Sequence, residues 1–155
     1  MKSTTARILI VLGAVAVLAV GAWTFIAWDW VETSHAEPAG AARAFEAARA
    51  GFADVEPIVS VRDGAFVRRP FPEEPPPAPS ELVVIVYHRP TERLVRAEVP
   101  FWFLRMKGPA SERVLRGAGV DLQELGLTVD DLVRYGPALV FDASRGEDRV
   151  LLATR

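Results

Sequence analysis

The chain has no cysteine, and its only two histidines, His35 and His88, stand far apart in the sequence. Without thiols it can form no disulfide, no thiolate metal site and no cysteine nucleophile. A zinc site would need histidines at a short spacing such as H-x-x-x-H or H-E-x-x-H, and neither pattern occurs. We therefore expect no metal and no other cofactor.

Motifs that bind phosphate or activate a nucleophile are also missing. No serine stands in G-x-S-x-G or S-x-x-K, and the glycines form neither G-x-G-x-x-G nor a P-loop. Ser144, His88 and Asp142 have the side chains of a hydrolytic triad, although nothing in their spacing supports one. We expect a protein without enzymatic activity, and a membrane-tethered hydrolase is the less favoured alternative.

An excess of basic residues is absent too. Residues 31–155 contain 16 basic and 19 acidic side chains, which gives a net charge of about −3. A nucleic-acid surface needs a concentrated basic face, so we expect no nucleic-acid partner. Solvent exposure or helix capping explains the paired carboxylates better than glycoside hydrolysis does: Glu73-Glu74, Asp130-Asp131 and Glu147-Asp148.

What the sequence does contain is a long uncharged run near its beginning. Ile8–Trp28 has no charged residue, and as a helix it would span roughly 31 Å, the thickness of the hydrocarbon core of a bilayer. Lys2 and Arg7 precede the run, which places the N-terminus on the cytoplasmic side. We predict a transmembrane helix over residues 8–28, with three tryptophans at its outer membrane interface: Trp23, Trp28 and Trp30.

A cleaved signal peptide is the alternative to this anchor. Ser34 and Ala36 are small residues at the −3 and −1 positions of a possible cleavage site before Glu37. The apolar run is longer than the roughly 7–15 residues of a signal peptide's apolar region, which favours the anchor. In either case we expect most of the chain to lie outside the cytoplasm, and an anchored chain would belong to a bacterial inner membrane.

The chain divides at a proline-rich tract. Residues 70–79 contain six prolines, which favour an extended backbone and cannot join a sheet ladder. We interpret this tract as a strap over the domain or a linker. The predicted division is a cytoplasmic N-terminus (1–7), the transmembrane helix (8–28), a juxtamembrane helix and hairpin (29–69), the tract (70–80) and an extracytoplasmic α+β domain (81–155).

The juxtamembrane region shows the signals of one helix and one hairpin. Residues 39–51 are rich in alanine, arginine and glutamate, which favour a helix. Strands at 55–61 and 65–69 flank Asp63-Gly64, a pair that favours a tight hairpin turn. We expect these strands to join the sheet of the following domain, since two or three strands alone bury too little apolar surface.

The last domain has the signals of two hairpins separated by short helices. The run 82–87 is continuously apolar, as in a strand buried on both faces. Capping-box patterns at Asp121 and Thr128 indicate the beginnings of two of the helices. The predicted strands are 82–87, 93–99, 138–141 and 149–154. This order predicts an α+β fold, a small antiparallel sheet with short helices packed on one face.

Three consecutive aromatic residues begin the helical region. Neighbouring residues of a helix point about 100° apart, so at least one of the three rings must reach the surface. Aromatic and arginine side chains are enriched at the centres of protein interfaces. We predict a partner-binding patch made by Phe101, Trp102, Phe103, Arg105 and Lys107. Ordinary packing of the rings on both sides of a strand-to-helix corner is the alternative.

Together these observations favour a single-pass membrane protein that acts by binding. We expect an accessory or assembly subunit of a larger membrane complex, whose exported domain contacts a membrane-protein partner. The predicted transmembrane helix has no pair of small residues four positions apart, so tight self-dimerisation through it is not indicated. The main alternative is a cleaved periplasmic or secreted ligand-binding domain.

Overall fold

The computed structural model describes residues 30–52, 55–106 and 109–155. The predicted transmembrane helix, with Trp23 and Trp28, lies outside these residues, and so does Lys107. Within the described ranges, no helix has both the length and the apolar character that a membrane crossing requires. The description below therefore concerns the part of the chain that begins at Val31.

A five-stranded antiparallel sheet organises this part of the chain. In spatial order its strands are β1 (Val31–His35), β5 (Arg93–Pro100), β4 (Glu81–His88), β7 (Asp148–Thr154) and β6 (Ala138–Arg145). The two predicted hairpins, β4–β5 and β6–β7, are confirmed and are longer than expected. The sheet and its short helices confirm the α+β class.

Both faces of the sheet are covered, whereas the prediction placed the covering helices on one face. Helix α1 (Pro38–Arg49) packs its buried Phe45 on the face that carries Ile85. Gly119 lies on the other face, where a Cβ added to it would lie 3.5 Å from the side chain of Val86. Successive strand residues point to opposite faces. The continuously apolar β4 therefore requires cover on both sides.

The edges of the sheet also differ from expectation. The sequence placed residues 31–35 in a connecting segment, but they form edge strand β1, paired with β5. The hairpin of β2 (Val59–Arg62) and β3 (Ala65–Arg68) forms a separate two-stranded sheet, so its predicted incorporation into the main sheet is wrong. It lies beside β6, and the N–H of Ile58 donates to the carbonyl of Leu139 at 2.9 Å.

Three more helices follow β5: α2 (Phe101–Arg105), α3 (Pro109–Gly117) and α4 (Val129–Tyr135). The predicted capping box of α4 is confirmed. The Thr128 hydroxyl accepts from the N–H of Asp131 at 3.1 Å, and the Asp131 carboxylate accepts from the N–H of Thr128 at 2.9 Å. The prediction that a helix begins at Asp121 is wrong. There the carboxylate accepts from the N–H of Gln123 and forms a turn.

The proline tract packs against the end of α4. The Phe71 ring lies 4.6 Å from the Tyr135 ring, measured between centroids. Gly136 has a φ of +68°, and a Cβ added there would lie 2.6 Å from the Pro76 side chain. Only a residue without a side chain fits both conditions. Of the two interpretations of the tract, these contacts favour the strap.

Candidate interaction surface

The predicted patch splits between the core and the surface. Phe101 and Phe103 are buried, whereas 56% of Trp102 is exposed. This confirms that at least one of the three rings reaches the surface. Arg105 is exposed too, and Met106, which the sequence did not select, is 48% exposed. We call Trp102, Arg105 and Met106 the tryptophan patch.

The position of the patch follows from the geometry of a short helix that starts at the end of a strand. Pro100 ends β5, and the N–H of Phe101, the first residue of α2, donates to the carbonyl of Ser80 at 2.8 Å. Phe101 and Leu104, three positions apart, then share one face of the helix and are both buried. Trp102 lies between them in sequence and points elsewhere.

The tryptophan patch lies at the end of the sheet where the chain enters its first strand. Val31 begins β1 opposite Ala97 of the antiparallel β5. β5 continues beyond that point to Pro100, and α2 with Trp102 follows directly. Trp30, predicted to lie at a membrane interface, immediately precedes β1 and is half-buried.

A cleft of about 650 Å³ borders the same helix. Its volume is within the range of small-molecule sites. The charged side chains at the cleft are of both signs: Arg105, Arg116, Glu112, Asp121 and Asp130. Arg116 is paired with Glu112 at 3.3 Å. Its apolar lining comes from α2, α3, α4 and the turn between them: Leu104, Leu115, Val120, Leu122, Leu127 and Val129.

The residues of the hypothetical hydrolytic triad do not meet. His88 pairs through Nδ1 with the carboxylate of Asp148. Asp142 and Ser144 lie on the opposite face of the sheet, as the register of β4, β7 and β6 shows. The Asp142 side chain is 6% exposed and forms an ion pair with Arg49 at 2.9 Å. The structure therefore does not bring the serine, the histidine and the aspartate together.

Two further findings concern the candidate metal ligands. In the ranges that the structure describes, no three histidine or carboxylate side chains are grouped as metal ligands would be. His35 is near Glu92, with Nε2 3.0 Å from a carboxylate oxygen, and both side chains are largely solvent-accessible.

A second exposed apolar surface was missed by the sequence analysis. Val61, Phe66 and Val67, all on the β2–β3 hairpin, are 49%, 42% and 40% exposed. The available signal was the hairpin itself, which contains apolar residues on both sides of a tight turn. We expected cover for them because we expected the hairpin to join the main sheet.

Arginines and rings connect this hairpin to the strap and to α4. The guanidinium carbons of Arg68 and Arg134 lie 4.6 and 3.7 Å from the centroid of the Phe71 ring. Arg68 also forms an ion pair with Asp131 at 3.4 Å, and the Tyr135 hydroxyl donates to the carbonyl of Arg69. These contacts hold one end of the hairpin and leave its outer strand exposed.

Comparisons with protein-family models, with curated proteins and with solved structures found no match to this chain.

Proposed function

We propose that the chain is a non-catalytic, single-pass membrane protein that serves as an accessory or assembly subunit of a larger membrane complex. The uncharged run 8–28 would anchor it in a bacterial inner membrane, with the N-terminus in the cytoplasm and the α+β domain outside. Only Asp29 and Trp30 separate this run from β1. Such a short connection would confine the domain to the membrane surface and raise its effective concentration there.

The tryptophan patch is the observation that carries this proposal. An exposed tryptophan beside an exposed methionine and an arginine has the composition of an interface centre. The patch lies at the end of the sheet where the chain enters β1. Along the chain, this is the end of the domain that follows the uncharged run.

The register of β1 supports an anchor that is kept rather than removed. Ser34 and His35 are paired with β5, and the N–H of Ala36 donates to the carbonyl of Glu92 at 2.8 Å. Cleavage after Ala36 would detach a strand that belongs to the main sheet. Intact-mass measurement of the membrane-extracted protein tests this, because loss of residues 1–36 would contradict the anchored form.

Affinity purification of the full chain in mild detergent tests the partner. We expect a stoichiometric membrane protein to co-purify with the wild-type chain and to be largely lost with Trp102→Ala, because truncating an interface tryptophan typically weakens binding more than tenfold. Val55→Ala is the matched control, since it truncates an apolar side chain that is 39% exposed and belongs to neither exposed apolar surface. Recovery of the chain alone, or of the same partner with Trp102→Ala, would contradict the proposal.

The cleft beside α2 favours a second candidate, a domain that binds a small ligand. Its apolar lining would suit the hydrocarbon part of an amphipathic ligand and Arg105 its anionic group, although three acidic residues also line the cleft: Glu112, Asp121 and Asp130. Binding of a medium-chain fatty acid, measured by calorimetry and weakened by Arg105→Ala, would support this candidate. Unchanged binding in that variant would exclude the cleft as the site.

A further inference from the structure

In the part of the chain that the structure describes, no strand pairs with the outer backbone edge of β3, the second strand of the hairpin. Asp63 and Gly64 form the two-residue turn, with φ of +52° and +77°, as a type I′ turn requires. The residues that flank such a turn form a hydrogen-bonded pair, and these pairs alternate along an antiparallel ladder. The N–H and C=O groups of Phe66 and Arg68 therefore point away from β2.

Apolar side chains flank this edge on both of its faces. Phe66 is opposite Val61 in the register and shares a face with it, whereas Val67 points to the other face. All four residues of β3 are exposed. The Phe66 ring also packs edge-on against the Phe141 ring, 6.1 Å away between centroids, and remains 42% exposed. The edge thus combines backbone groups that no described strand pairs with and partly exposed apolar side chains, the two features that strand addition satisfies together.

A lipid surface fits this edge poorly. Unpaired N–H and C=O groups are costly in hydrocarbon, and the acidic Asp63 stands at the tip of the hairpin.

A second copy of the chain fits poorly as well. Antiparallel pairing of two β3 strands about Val67 would place Ala65 of one copy opposite Arg69 of the other, so a second copy would supply no carboxylate at that position.

We propose that β3 accepts an extended segment of a partner protein as an added strand. The segment would form backbone hydrogen bonds to Phe66 and Arg68 and place β-branched side chains beside Phe66 and Val67. It would carry a carboxylate next to Arg69, for which no carboxylate partner occurs among the residues that the structure describes. This surface is separate from the tryptophan patch, so the inference goes beyond the proposed function and does not depend on it.

A designed peptide tests the inference directly. The probe is the capped peptide Glu-Val-Thr-Val-Thr-Val-Glu, added to the isotope-labelled full chain in detergent micelles. We expect slower amide hydrogen exchange at positions 66 and 68, whose N–H groups point outward, and little change at position 67, whose N–H group already faces β2. A peptide N-methylated on alternate residues is the control, and it should bind at least about tenfold more weakly because it lacks the donors.

Two substitutions at one position isolate the backbone contribution. Phe66→Ala and Phe66→Pro both remove the ring, but only Phe66→Pro removes the outward N–H. We expect Phe66→Pro to bind the peptide about three- to tenfold more weakly than Phe66→Ala. Arg69→Glu should weaken binding of this acidic peptide and strengthen binding of its lysine-ended analogue.

Several outcomes would overturn the inference. Equal binding of the methylated and unmethylated peptides would show that the edge is not used, and so would no binding at about 1 mM peptide. Protection of positions 66 and 68 by phosphatidylglycerol vesicles alone would assign the edge to lipid. Protection that rises with protein concentration alone would assign it to a second copy. None of these results affects co-purification through Trp102.

Discussion

Strands β4 and β3 are both rich in apolar residues, yet their surroundings differ completely. Residues Leu82 to Ile85 of β4 are almost fully buried, whereas every residue of β3 is exposed. The difference lies in what covers each strand, since β4 has α1 on one face and the segment around Gly119 on the other. Apolar composition alone therefore does not show that a strand belongs to the core, and an uncovered strand is a candidate for binding.

The largest effect on stability is expected for a substitution in β4, the buried strand. Ile85→Ala should lower the free energy of unfolding by about 3 kcal/mol, because it removes a fully buried side chain and leaves a cavity between the sheet and α1. Urea denaturation of the full chain in detergent, followed by circular dichroism, measures it. A loss below about 1 kcal/mol would mean that the face beneath α1 is not tightly packed.

Substitutions at two glycines test whether the proline tract packs tightly against the end of α4. Gly136→Ala should destabilise the chain by about 2–4 kcal/mol, since the added Cβ would both adopt a left-handed backbone and collide with Pro76. Gly146 has a φ of +60° and open space around it, so Gly146→Ala should cost only about 1 kcal/mol. Equal losses in the two variants would show that the strap does not press on the end of α4.

Disrupting the capping box of α4 tests whether the hairpin is held in place by that helix. Thr128→Ala should cost about 1 kcal/mol, because it removes the acceptor for the N–H of Asp131. Asp131 also pairs with Arg68 of the hairpin. We therefore expect faster amide exchange in β3 as well, measured by nuclear magnetic resonance. Unchanged exchange there would show that the hairpin is held independently of α4.

The smallest expected effect concerns the exposed strand. Val67→Ala should change the free energy of unfolding by less than about 0.5 kcal/mol, because the side chain is 40% exposed. The same substitution should weaken binding of the designed peptide. A large loss of stability without a loss of peptide binding would mean that β3 contributes to the core, as β4 does, and not to binding.

Much of the local structure could be predicted from the sequence, because its causes are local. The turn at Asp63-Gly64 and the capping box at Thr128 each depend on a few neighbouring residues. The failure at Asp121 is local as well. The same pattern that can cap a helix can close a turn, and the backbone that followed formed a turn.

The candidate surfaces were only partly predictable. The 100° spacing of a helix required that one ring of Phe101, Trp102 and Phe103 be exposed, but it did not show which one. That depended on how α2 leaves β5 and on which rings the core accepts. The exposure of Phe66 and Val67 could not be predicted either, since it depends on the hairpin remaining outside the main sheet.

By itself, the amino-acid sequence determined the hairpins, their turns and the class of fold. The spacing of apolar residues, the turn residues and the helix caps each act over a few residues. It also determined an uncharged N-terminal run and the absence of cysteine. Only the tertiary structure decided that both faces of the sheet are covered, that residues 31–35 form an edge strand and that β3 stays exposed. Burial depends on which distant segments meet, and no local pattern encodes that.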